Sequence, residues 1–261
     1  IKGATIFVNG GCTMQYDKDT QMTNTTIVLK SSATLEYNNS DGTGVMIPEG
    51  CTIYCTNPKN NVVAKGLIKI DGNLYADFRG KTSQDKDLST GLGAIKETSS
   101  EEKEKSITPT QDITFGPNAN VYINGSIRAI NLNVESGANV YAAGNLFNND
   151  ANGNSTINGN LWVKGFVKAR TLDVNGYLKS ETAIKVTNQF NVNNGANVEA
   201  SYINVTNNTK DGQKVIEKGE ATLTLKGTGK ITIGNKNVIT ANNLVTDNAS
   251  AGQITLAGEN A

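Results

Sequence analysis

The chain has 261 residues, with 24 basic and 24 acidic side chains, hence no net charge, and no histidine. Neutrality argues against a dedicated nucleic-acid binder, which needs a basic face to displace counterions. Lack of histidine removes Ser-His-Asp and Cys-His catalysis and the commonest zinc ligand, and no segment approaches the ~20 apolar residues of a membrane span.

The chain opens abruptly on a strand, Ile6-Phe7-Val8, with no visible signal peptide, as expected if an upstream targeting segment has been removed. Asn makes up roughly one residue in seven, as suits many corners with left-handed backbone. From there one unit recurs: an alternating apolar strand, a corner of two or three residues, then a second strand. It is clearest in Asp112 to Val140, where Ile113-Thr-Phe115 and Ala119-Asn-Val121 return as Leu132-Asn-Val134 and Ala138-Asn-Val140 after 19 residues. Alternation means a strand with one buried face. A short repeat that cannot bury its own face means a solenoid.

Ten copies open at Thr5, Thr26, Gly44, Leu67, Asp112, Asn131, Asn154, Thr171, Gln189 and Thr222. Only the copy at Asn154 puts a polar residue, Ser155, at an inward position of its first strand. The corners are built from Gly, Asn, Asp, Ser and Pro, which suit turns with positive or fixed φ. Second strands start on small residues in most copies: Cys12, Ala33, Cys51, Ala119, Ala138, Ala196, Gly229. Their next inward positions are Met14, Leu35, Ile53, Leu74, Val121, Val140, Leu161, Leu178, Val198 and Ile231. A third strand follows in several copies, as in Ser126 to Ala129, Phe166 to Ala169 and Tyr202 to Val205. The expected fold is all-β: a single-stranded parallel β-helix, a three-faced solenoid of about ten rungs spaced about 4.8 Å apart.

Residues 1–261 read as one β-helix domain with two insertions. The first, 79–111, is polar, holds the charged run Glu101 to Lys105, and has helix propensity around Ile95 to Lys105. The second, 206–220, reads as a loop or hairpin. The pattern weakens from Asn235 to Ala261, which reads as a last coil or cap. The three cysteines have no metal-like spacing and read as buried, unbridged residues.

This grammar resembles the single-stranded parallel β-helix proteins of bacterial surfaces and secretions. Stretches such as Val121-Tyr-Ile-Asn-Gly-Ser-Ile-Arg-Ala129 and Leu161-Trp-Val-Lys-Gly-Phe-Val-Lys-Ala169 resemble the rungs of bactofilins, which form polymers. The chain departs from bactofilins in its length and its large insertion, and its excess of Asn and Thr looks more like an extracellular protein. The resemblance implies an architecture and transfers no functional residues.

Aligning the copies aligns their outward positions. On the second strand one outward column reads Gln15, Glu36, Tyr54, Tyr75, Tyr122, Tyr141, Trp162, Lys179, Glu199 and Thr232. Its neighbour reads Thr13, Thr34, Thr52, Asn73, Asn120, Asn139, Asn160, Tyr177, Asn197 and Lys230. Together, Tyr54, Tyr75, Tyr122, Tyr141 and Trp162, edged by Asn73, Asn120, Asn139 and Asn160, form a flat aromatic strip suited to sugar rings. The same strip also fits a ladder that only stabilises the sheet, or one covered by the 79–111 insertion. Phe7, Val28 and Met46 form a second column, an apolar patch above Lys69, Thr114 and Asn133, to be covered by the insertion, a missing N-terminal segment or a neighbouring subunit. Arg128, Lys168 and Lys185 make a basic stripe that could meet an acidic polysaccharide or simply be solvated.

Catalysis by a β-helix needs clustered carboxylates or a basic residue beside calcium ligands. The outward columns offer scattered acids only; Asp173 stands between Thr156 and Asn191. The expectation is a non-enzymatic, secreted or cell-surface, structural or adhesin-like protein without cofactor or metal. Its partners would be a polysaccharide or another surface protein, and no nucleic acid; self-association would use the rung ends or the Phe7/Val28/Met46 patch. The alternatives are a polysaccharide-processing lyase or glycoside hydrolase, and a bactofilin-like polymer subunit.

Overall fold

The computed structural model describes residues 1–39, 41–77, 91–93, 95–98, 106–148, 153–207, 221–247 and 252–257. These are all-β: no helix occurs among the described residues, and parallel strands join in one long, repeat-like sheet with the organisation of a solenoid. The charged run 101–105 and residues 208–220 of the second insertion lie outside the described residues.

Three ladders of parallel strands carry the repeat. The first runs through Thr5–Val8, Thr26–Leu29, Thr52–Cys55, Asn73–Asp77, Asn120–Asn124, Asn139–Ala142 and Asn160–Val163. It continues through 177–180, 197–200 and 230–233 to Gln253–Leu256. The second runs from Ile68–Ile70 through Ile113–Phe115, Leu132–Val134 and Asn154–Ile157 to Asn243–Asp247. The third holds the extra strands, among them Ser126–Arg128 and Leu146–Asn148. The segment that weakens in sequence, after Asn235, still continues the ladders at Asn243–Asp247 and Gln253–Leu256.

Alternation decides which side chains go inside. Leu74, Val121, Val140, Leu161, Leu178 and Val198 form one inward column and are all buried. Each such side chain contributes roughly 1.5–3 kcal/mol of burial. Corners tighten where side chains have no room: a Cβ on Gly176 would sit 2.3 Å from the Gly159 carbonyl oxygen below it. Gly137 closes its corner at φ +98°, a conformation that β-carbon sterics disfavour.

The first coils depart from the expected alignment. Thr13–Asp17, Thr34–Asn39 and Asn61–Gly66 pair with one another in a separate three-stranded sheet. Val28 pairs with Tyr54, so the first strand of the early copies lies over the second strand of the later ones. The rung alignment is therefore out of phase by one strand above Thr52. The physical reason is that every corner of such a coil has the same strand–turn–strand pattern. Alternation specifies inside and outside, but does not specify which face a strand belongs to.

Several expectations change with this phase. Gln15 and Glu36 leave the aromatic column and stand side by side in the small sheet, Gln15 Nε2 donating to Glu36 Oε2 at 2.9 Å. Phe7 and Val28 join that column instead. Met46 is fully buried, and its carbonyl accepts from the Tyr16 hydroxyl at 2.8 Å, so the Phe7/Val28/Met46 patch does not exist as a unit. Cys12 is exposed because it precedes an edge strand of the small sheet; Cys51 and Cys55 are buried, and all three are unbridged. Ile95–Thr98, expected to favour helix, is a strand paired antiparallel with Ser106–Pro109. A partner strand satisfies its backbone groups, and tertiary pairing of this kind overrides weak helix propensity.

Buried asparagines fit the small sheet to the ladders. Asn39 Nδ2 donates to the carbonyls of Gly44 (3.1 Å) and Leu67 (2.8 Å), and its Oδ1 accepts from the Gly44 amide at 2.8 Å. Asn60 spans the Leu29 carbonyl and the Ala33 amide. Gln111 Nε2 bonds the carbonyls of Ala64 and Gly66, capping the end of the last strand of the small sheet. These side chains supply partners that the irregular backbone would otherwise lack.

Candidate functional site

The first ladder places Tyr54, Tyr75, Tyr122, Tyr141 and Trp162 opposite one another on successive strands. Each follows an inward residue, so each points out. Tyr54, Tyr75, Tyr122 and Trp162 are 37–46% exposed, while Tyr141 is half-buried. The described part of the first insertion does not cover them. Ser106–Pro109 lies instead against Leu146–Asn148 on the third ladder. On that ladder Arg128 and Phe147 are buried, and burial pushes the Arg128 guanidinium down to about 10. The basic stripe is thereby reduced to the exposed Lys168 and Lys185, paired directly with each other.

The strip is not flat. Tyr54 and Tyr75 stack with centroids 5.1 Å apart and planes 11° apart; Tyr122 and Tyr141 do so at 5.0 Å and 9°. Nearly parallel rings at that distance form an offset stack. Trp162 turns edge-on to Tyr141, at 82°. Strand spacing brings these rings on successive strands to about 5 Å, close enough to stack or to meet edge-on.

The Asn column lies two residues before the rings on each strand and forms an amide ladder. Asn160 Nδ2 donates to Asn139 Oδ1 at 2.9 Å, and Asn139 Nδ2 donates to Asn120 Oδ1 at 3.3 Å. Asn73 Nδ2 donates to the Thr52 hydroxyl at 3.1 Å. Between the two columns runs an open depression of about 430 Å³, lined chiefly by Tyr75, Tyr122, Tyr141, Trp162, Asn120 and Asn160. Its size is that of a small-molecule site. Tyr177 closes one end, and its residence there was not singled out from sequence, although the aligned columns contain it.

Charged side chains stand at that end. Trp162 Nε1 donates to Glu181 at 3.2 Å, Lys179 Nζ sits 4.7 Å over the indole, and Lys179 pairs with Glu199 at 3.7 Å. Burial, then the charge of Glu199 and a hydrogen bond to it, push the Tyr177 hydroxyl up to about 12. Burial, with Tyr122 and Glu181 adding, also pushes Tyr141 up.

No group of three or more metal-ligating His, Cys, Asp or Glu side chains occurs among the described residues. Asp173 pairs with Thr156 and Asn191 as the alignment expects, accepting from Asn191 Nδ2 at 2.6 Å. The arrangement offers apolar ring surface, amide donors and acceptors, and hydroxyls. No helix among the described residues is long and apolar enough to cross a membrane. In comparisons with known proteins, no family model, no curated protein and no solved structure gives a significant match to this chain.

Proposed function

We propose that the three ladders close into a single-stranded parallel β-helix of about ten coils, and that this is a non-enzymatic, secreted or cell-surface protein that binds a polysaccharide along the first ladder. The carrying observation is the exposed depression of about 430 Å³ between a column of aromatic rings and a column of asparagines. Sugars present apolar C–H faces and hydroxyl edges together, and both kinds of partner stand here side by side on every strand. The rigid, continuously paired strands favour this reading, because a preformed site avoids ordering costs on binding.

A glycan array, followed by affinity electrophoresis, tests the proposal. Immobilised polysaccharide should retard the native chain, and Tyr122→Ala and Trp162→Ala should weaken retention. If no glycan is bound and the same substitutions only lower the melting temperature, the rings are a stabilising ladder and the proposal fails.

A second reading, self-association through coil ends, draws on one observation. Ile254 and Leu256 continue the inward column of Ile231 and Ile233, yet are 42% and 48% exposed. Sedimentation velocity across a concentration series tests it; a single monomeric species at all concentrations would remove it.

A further inference from the structure

The phase of the first coils changes how long the site is. Phe7 pairs with Val28, and Val28 with Tyr54, so the outward column reads Phe7, Val28, Tyr54, Tyr75, Tyr122, Tyr141, Trp162 without interruption. The polar column beside it likewise reads Thr5, Thr26, Thr52, Asn73, Asn120, Asn139, Asn160. Neither column contains a charged side chain over these strands. Phe7 is 56% exposed, the largest exposure in the aromatic column. Below Trp162 the pattern stops: the same column continues as Lys179 and Glu199, which form an ion pair.

We propose that the groove of the first ladder holds an extended neutral polysaccharide along the stacking direction, from Trp162 to Phe7, with Phe7 and Val28 as its far subsites. The inference rests on the polysaccharide reading of the groove given above. Six strand steps of ~4.8 Å span about 29 Å. One step is close to the length of one sugar residue in an extended chain, so the path takes about six residues. The charge-free columns select the class: along them an acidic polymer would lose hydration of its carboxylates with no cation of either column to replace it. Lys179 does not serve that role, because it is held by Glu199 and the Trp162 ring, and Lys30, 4.8 Å over the Phe7 ring, meets one end subsite alone.

The test uses size series of cello-, manno- and laminari-oligosaccharides, from dimer to octamer, with oligogalacturonates as the acidic comparison, measured by calorimetry on the full chain. Affinity in one neutral series should climb by at least about tenfold, or 1.4 kcal/mol, between trimer and hexamer and then level off. Phe7→Ala should bring the hexamer close to the tetramer while leaving the trimer unchanged. Val28→Lys, a substitution on an outward position that leaves the core intact, should do the same.

A rise that stops at trimer or tetramer, with both variants binding like the native chain, would overturn the extended path and leave the groove reading standing. Tighter binding of oligogalacturonates than of any neutral series would overturn the neutral class. If neither the oligomers nor any polysaccharide binds, the groove reading itself fails, and the extension with it.

Discussion

The first coils, residues 1–66, and the body, residues 112–207, are built from the same strand–corner grammar but resolve it differently. In the body every coil contributes to all three ladders, and inward columns run unbroken, as in Ile127, Leu146, Val167, Ile184 and Ile203. In the first coils, Thr5–Val8, Thr26–Leu29 and Thr52–Cys55 join the first ladder, a second side pairs in a separate small sheet, and the described remainder is tied by isolated bridges, Lys2 with Thr23 and Ile47 with Ile70. The body gets its order from repeated apolar contacts, which add coil by coil. The first coils depend on individual polar side chains: Asn39, Asn60 and Gln111 each complete backbone groups that no strand reaches. A regular repeat spreads its stability over many equal contacts, whereas an irregular coil concentrates it in a few.

Thiol chemistry gives the largest expected contrast. Cys12 should react with a thiol reagent in the native protein at the rate of a free thiol, while Cys51 and Cys55 should be slower by several orders of magnitude, since they must wait for opening. Unfolding without reductant should release three thiols. Fast labelling of more than one cysteine would show that the first coils are looser than their burial implies.

In the body, Val121→Asp places an unpaired charge in the inward column and should cost several kcal/mol. Because it interrupts the stack at mid-length, thermal melting should show loss of far more than one coil. An unchanged melting temperature would mean that Val121 does not face inward.

In the first coils, Asn39→Ala should cost about 1–3 kcal/mol, the penalty of leaving buried backbone groups unpartnered. Hydrogen exchange should then rise around Gly44 and Leu67 and stay unchanged at residues 139–163. Exchange rising equally in both regions would erase the distinction between them.

Tyr122→Ala should lower stability by only about 0.5–1.5 kcal/mol, through its stack with Tyr141. Chemical denaturation measures it, and the comparison of interest is Phe7→Ala, where the ring is 56% exposed, has Lys30 at 4.8 Å in place of a stacked ring, and the change should be smaller. One effect has the opposite sign. Ser155 stands in the inward column between Leu132 and Leu172, fully buried, and its hydroxyl has no hydrogen-bond partner among the described residues. Ser155→Ala should raise stability by about 1 kcal/mol by removing that unsatisfied group.

The amino-acid sequence by itself determined most of what alternation can encode. It specified most of the strands, the inward column from Ile53 to Ile231, the positions of the corners, and the in-register column from Tyr54 to Trp162 with its asparagine neighbours. These are local properties, since a one-residue slip would expose Val121, Val140 and Leu161 together, and burial forbids it. Ser155 was visible in the same way, as the polar residue in an apolar row.

Only the tertiary structure decided which face each strand joins. That choice puts Gln15 and Glu36 in a small sheet, Phe7 and Val28 at the head of the aromatic column, Met46 in the core and Cys12 in solvent. It also laid Ser106–Pro109 over the third ladder and away from the rings, and turned a flat strip into offset stacks beside a groove. Face and phase are set by the sum of contacts with coils above and below, and no window of one coil contains that sum.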